Sequence, residues 1–212
     1  MWLAALCLVP LLAVLEIRAD RAGRTRRVYL LKPLTTGCIL LVALLAPSPV
    51  SRAYQAAIGA GLLCALAGDV FLMLPAKYFS RGLVSFLLAH LCYSVAFVSL
   101  AGPPRSPLAI LAAIAFVAYL PRRLWPRLGR YRGPVLGYAF VLAFMAAAAH
   151  QQALAAGTLR AWLTLAGALL FVLSDTVLAL DRFEEGRKRR QVLVLATYFA
   201  GQWLIAASVT RF

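Results

Sequence analysis

The chain has 212 residues, 63% hydrophobic and 14% charged, with a mean hydropathy of +0.84, whereas soluble domains are roughly half apolar and about a quarter charged. These values exclude an ordinary water-soluble enzyme, a disordered chain and a nucleic-acid-binding domain with a soluble core. The net charge of +15, from 22 Lys and Arg against 7 Asp and Glu, is therefore assigned to cytoplasmic loops and anionic lipid headgroups rather than to nucleic acid.

Apolar runs between charged or Pro/Gly breaks predict an all-α, polytopic bundle of eight transmembrane helices in a single integral membrane domain, 1–212. Taken in order, the spans are expected at about 2–17, 29–46, 53–74, 82–100, 106–120, 134–150, 158–180 and 191–210. The first lacks a positive n-region, and its basic cluster follows it, so it is taken as a retained span and not a signal peptide. Loops after odd-numbered helices hold 18 of the 22 positive charges, and the other loops with the tail hold four. Cytoplasmic loops carry the Lys/Arg excess, so both termini are expected outside. The Arg- and Ala-rich composition points to a GC-rich bacterial genome, and hence to the inner (plasma) membrane.

The four cysteines, Cys7, Cys38, Cys64 and Cys92, all fall in apolar segments without CxxC spacing. They predict neither a disulfide framework nor a zinc site. His150 falls at the outer end of its helix and is taken as interfacial. With no His-x-x-x-His spacing, no metal and no cofactor are expected.

Five of the seven acids flank basic loops: Glu16, Asp20, Asp181, Glu184 and Glu185. The remaining two, Asp69 and Asp175, fall inside spans, where a carboxyl costs roughly 2.5–3.5 kcal/mol on insertion scales and marks a functional candidate. Such a carboxyl can also simply hold helices together. Each lies six residues before a cytoplasmic boundary, at Pro75 and Asp181, or roughly 9 Å deep at the helical rise. Gly68 and Ser174 precede them, small residues that permit close approach. His90, Tyr93, Tyr138, Tyr198, Gln202 and Lys32 fall in the same half of the membrane, with His90/Tyr93 at i,i+3 and Tyr198/Gln202 at i,i+4.

The segments "KPLTT" (32–36), "GDVFLML" with Asp69, "AHLCY" with His90 and Tyr93, "LGYAFVL" with Tyr138, "LLFVLSDTVLAL" and "TYFAGQWLI" occur in this order. As an ordered set they resemble the YhhN family of membrane proteins, from the second helix to the last. The resemblance implies a multi-helix membrane fold and, as in characterised members, hydrolysis of the vinyl ether bond of lysoplasmalogens. It also implies that Lys32, Asp69, His90, Tyr93, Tyr138, Ser174, Asp175, Tyr198 and Gln202 match the family's polar positions.

Vinyl ether hydrolysis needs a proton donor, an anion to face the oxocarbenium ion and a base for water. Two carboxyls at one site can hold one proton between them. Asp69 and Asp175 are the expected catalytic pair, either one being the acid. His90, Tyr93 and Tyr138 would orient water or bind the pair, and Lys32 would meet the phosphate of the lysophospholipid substrate. A transporter or lipid-handling protein would use the same polar layer, although no inverted repeat is evident. An intramembrane aspartyl protease fits less well, because Leu66-Ala67-Gly68-Asp69 lacks the first Gly of Gly-x-Gly-Asp.

Overall fold

The computed structural model describes residues 1–184 and 190–211. Glu185, Arg187, Lys188 and Arg189, counted above in the last basic loop, lie outside the described residues. The described chain holds eight long α-helices: α1 (Trp2–Arg21), α2 (Thr25–Leu44), α3 (Arg52–Met73), α4 (Phe79–Ala101), α5 (Pro107–Leu128), α6 (Arg132–Ala156), α7 (Leu159–Phe183) and α8 (Gln191–Ala207). Short 3-10 turns, Ala76–Tyr78 and Gly129–Tyr131, lead into α4 and α6. The described residues form no strand, only an isolated bridge between Pro49 and Thr210.

Six helical segments are long and apolar enough to cross a membrane. One of them, Pro107–Ala156, runs through α5, its 3-10 turn and α6, and Gln191–Ala207 is a shorter apolar helix. Leu3, Leu30, Val95, Leu108, Leu111, Phe140 and Leu159 are each more than 60% exposed. Such side chains would be costly in water, and hydrocarbon is the solvent that suits them.

The helices overrun several of the expected boundaries. α1 continues to Arg21 and α2 starts at Thr25, so the first basic loop shrinks to a tight turn at Ala22–Arg24 with Gly23 at φ +65°. Arginine favours helix, and its long stem carries the charge to the interface, so the charged run does not end the helix. α5 likewise passes Pro121 and Pro126 to Leu128, placing Arg122, Arg123 and Arg127 on a helix where a loop was expected. Leu120, Leu124 and Leu128 recur every four residues, are buried and pack with Val135 against Phe183. This apolar stripe continues the helix through the prolines. Flanking the stripe, Arg123 donates its Nε–H to Glu184 at 2.8 Å.

Most consecutive helices pair, α3 most extensively with α4 and α7 with α8, but α4 packs on α6 rather than α5, and α8 also packs on α1, α2 and α3. The closest approach is at Gly167 and Gly201, where a Cβ on either would sit 2.8 Å from the other's carbonyl oxygen. That contact holds α7 against α8 two helical turns before Asp175 and one turn after Tyr198.

Candidate functional site

Asp69 sits four residues before the end of α3 and is 1% exposed. Three donors surround its carboxylate. Lys32 Nζ, on α2, lies 3.3 Å from Oδ1. Thr36 donates its hydroxyl to Oδ2 at 2.6 Å, and Tyr198 of α8 donates to the same oxygen at 2.7 Å. Lys32 and Thr36 are one helical turn apart and so share a face. A cation and two hydroxyl donors thus converge on one buried carboxyl. Lys32, expected at the substrate's phosphate, pairs with Asp69.

Asp175, midway along α7, has a different environment. Tyr138 of α6 donates a hydrogen bond to its Oδ2. His90 Nε2 of α4 is 3.6 Å from that oxygen, outside hydrogen-bond range. No Lys or Arg pairs with Asp175, and Oδ1 has no partner among the described residues. The His90 ring is fully buried, meeting Phe171 and Tyr138 edge to face with centroids 4.6 and 5.3 Å away. Neither of its nitrogens has a hydrogen-bond partner among the described residues.

Both carboxyls line one cavity of about 260 Å³, together with Lys32, Ser174, Arg182 and Tyr198. An apolar cleft adjoins it and shares a wall of Leu72, Phe79, Phe86, Asp175, Leu178 and Arg182. Its far side is Leu120, Val135, Ala139 and Leu142. Asp175 thus faces both a polar chamber and an apolar one. Phe86 separates them because Gly68 makes room for it: a Cβ there would be 2.7 Å from the Phe86 ring. Ser174 is buried and donates to the Val194 carbonyl at 3.0 Å, tying α7 to α8 beside Asp175.

Of the expected layer, Lys32, Asp69, Ser174, Asp175 and Tyr198 line the cavity, and Tyr138 and His90 stand behind Asp175. Tyr93 and Gln202 do not reach either carboxyl. Tyr93 donates to Gln202 Oε1 at 2.6 Å, one turn deeper, in a space left by Gly61. Three residues escaped the sequence reading. Thr36 lies in the quoted "KPLTT" segment at i+4 from Lys32, which could have exposed it. Arg182 stands at i+7 from Asp175, again on one face, and was counted only as a topological charge. Glu16, expected at a loop edge, is fully buried, with both carboxyl oxygens unpartnered among the described residues; α1 continues past it to Arg21. Among the described residues no group of three or more His, Cys, Asp or Glu side chains could hold a metal ion.

Comparison with known proteins matches residues 28–209 to the YhhN family. The chain is 34% identical over 172 residues to a pig (Sus scrofa) protein named Lysoplasmalogenase TMEM86B, covering 81% of this chain and 71% of that one. It is 30% identical over 207 residues to the Uncharacterized membrane protein YhhN of Escherichia coli O6:H1, covering 95% and 96%. It is 32% identical over 156 residues to human Lysoplasmalogenase TMEM86A, covering 71% and 64%. No solved structure matches the chain.

Proposed function

The chain belongs to the YhhN family, and from that premise we propose that it is a lysoplasmalogenase-like membrane hydrolase. It would cleave the vinyl ether of lysoplasmenylethanolamine or lysoplasmenylcholine to a fatty aldehyde and glycerophosphoethanolamine or glycerophosphocholine. The observation that carries this reading is the pair of carboxyls in unlike settings on one cavity, one of them on the wall shared with an apolar cleft. An amphipathic lysolipid needs both chambers, with its reactive bond at their junction.

The two environments divide the work. Asp69, held by Lys32, Thr36 and Tyr198, is the fixed carboxylate. Asp175, which has neither a Lys or Arg partner nor a bond to Oδ1 among the described residues, is the acid. Its proton passes from Oδ1 to the vinyl carbon distal to the ether oxygen, leaving an oxocarbenium ion on the carbon attached to oxygen. Asp69 stabilises that charge across the cavity. Water adds to the same carbon and returns a proton to Asp175. The hemiacetal then collapses: its C–O bond to glycerol breaks, the aldehyde carbonyl forms, and the hydroxyl proton ends on the glycerol oxygen. The net reaction consumes one water. Tyr138 orients Asp175 through Oδ2 and leaves Oδ1 toward the substrate. The chemistry asks for a proton and an anion, both within this chain's own side chains.

All eight helices are proposed to cross the membrane, with both termini outside and the site in the cytoplasmic half of a bacterial inner membrane. Purified protein in detergent, incubated with lysoplasmenylethanolamine, lysoplasmenylcholine and an ester lysolipid, tests the reading. Aldehyde is expected from the two vinyl ethers only. Asp69→Asn and Asp175→Asn should each abolish it while remaining folded, since an amide keeps the shape but cannot exchange the proton. No aldehyde from the wild type, or release that survives both substitutions, refutes the proposal.

A further inference from the structure

We propose that Arg182 is the phosphate anchor of this site, binding the phosphodiester of a lysophospholipid headgroup at the cytoplasmic mouth of the cavity. The inference rests on the lysolipid reading above and adds the residue that recognises the headgroup.

Three observations support it. First, the other cation on the cavity wall is committed: Lys32 lies 3.3 Å from Asp69 and is largely buried. An ammonium already paired with a carboxylate has little charge left for a phosphate. Arg182 makes no ion pair or hydrogen bond among the described residues, and its guanidinium stacks 4.5 Å from the Phe79 ring centroid. That contact holds the planar group in place and leaves its N–H edges available for bidentate phosphate bonding.

Second, Arg182 lies on the wall common to the polar cavity and the apolar cleft, and also lines a third, small space beside Leu74 and Ala76. Those residues mark the turn between α3 and α4, at the end of the bundle where Asp69 lies. Arg182 therefore stands where the cavity opens toward headgroup level.

Third, the spacing fits the ligand. Arg182 follows Asp175 by seven residues on α7, so the two share a face and are separated by about 10.5 Å along the axis. In a 1-alkenyl lysophospholipid, seven bonds join the protonated vinyl carbon to phosphorus, spanning roughly 9 Å in a zigzag of single bonds of about 1.5 Å. A substrate with its vinyl carbon at Asp175 brings its phosphate within reach of Arg182. An anchor on Lys32 would pull the headgroup toward Asp69 instead, away from the wall of the apolar cleft.

The test is equilibrium binding in detergent of two non-hydrolysable probes of equal chain length: a saturated 1-O-alkyl lysophosphocholine, and the 1-O-alkylglycerol without phosphate. Wild type should prefer the phosphate-bearing probe. Arg182→Gln should weaken that probe by roughly ten- to a hundredfold, the range of a charge-assisted hydrogen bond, and leave alkylglycerol affinity unchanged. Arg182→Lys should fall between, keeping charge but losing the fork. Arg182 is exposed, so the variants are expected to fold, and gel filtration checks this. Inorganic phosphate, offered as competitor, separates a lipid anchor from a site for free phosphate: it should displace the lipid only weakly. Equal weakening of both probes, no weakening of either, or inorganic phosphate binding as tightly as the lipid overturns the assignment. Because neither probe is cleaved, failure here is distinguishable from failure of the hydrolase reading, which the aldehyde assay reports.

Discussion

Removal of the Lys32 ammonium separates its structural role from substrate recognition. At 3.3 Å from Asp69 Oδ1, the pair is worth about 5 kcal/mol of Coulomb energy at an effective dielectric of about 20. Desolvation takes back part of that, but breaking a buried pair still costs about 3–5 kcal/mol, because the surviving charge has no water to return to. Asp69 is 1% exposed, so Lys32→Met leaves its carboxylate on two hydroxyl donors alone. Asp69→Asn is milder, since the Lys32 stem can carry the ammonium toward the interface and the amide oxygen can still accept from Thr36 and Tyr198. The double variant should be destabilised by less than the sum of the two singles, with a coupling energy of at least about 2 kcal/mol. The assay is unfolding in mixed micelles titrated with a denaturing detergent, run on all four proteins. In parallel, Lys32→Met should lower kcat by disturbing Asp69, with little change in KM for the phospholipid. Additive destabilisation within about 0.5 kcal/mol, or a raised KM with unchanged kcat, would refute the reasoning and return Lys32 to the headgroup.

Tyr138→Phe removes the hydroxyl donor to Asp175 Oδ2 and should lower kcat by roughly ten- to a hundredfold at nearly constant KM; unchanged turnover in steady-state kinetics would count against a positioning role. Gly201→Val drives a side chain into the Gly167 carbonyl, 2.8 Å from the new Cβ. It should cost roughly 1–3 kcal/mol in the same micelle titration, the range for overpacking. For topology, cysteines introduced at Arg105 and Leu159 in a chain without its native cysteines should react with an impermeant maleimide from the outside, and those at Arg81 and Arg127 should not. Labelling of Arg127→Cys from outside would invert the proposed orientation.

Much of the fold was legible because one signal dominates a membrane chain. Apolar runs must exceed a minimum length, so eight helices emerge from the sequence in order. Their ends were less legible. Pro121 and Pro126 read as breaks, yet the Leu120, Leu124 and Leu128 stripe keeps α5 helical through them. A local breaker lost to tertiary packing, which the sequence does not display. The carboxyls stood out because each carries an insertion cost that a sequence reading can weigh. Their partners did not, because a threonine at Thr36 or an arginine at Arg182 costs nothing unusual at its position. Tyr93 and Gln202 fell in the expected layer by depth, yet they bond to each other. Depth along a helix is readable from numbering, whereas rotation about its axis depends on neighbours.

The difference between the two aspartates follows from where each helix ends. Asp69 is four residues from the end of α3, close enough to the interface for Lys32, near the start of α2, to meet it from the opposite direction. Asp175 is eight residues from the end of α7, beyond the reach of such a partner, and its nearest polar neighbours are a phenol and an imidazole carried by α6 and α4. Similar sequence surroundings, a small residue then Asp with Leu three positions on, therefore yield one carboxyl paired with a cation and one with no Lys or Arg partner among the described residues. A symmetric pair would have to break its own symmetry before either member could act as acid. Here the helix lengths have already made the two unlike, and on the proposed reading the adjoining cleft of Leu120, Val135, Ala139 and Leu142 would set the lipid's apolar chain beside the carboxyl proposed as the acid.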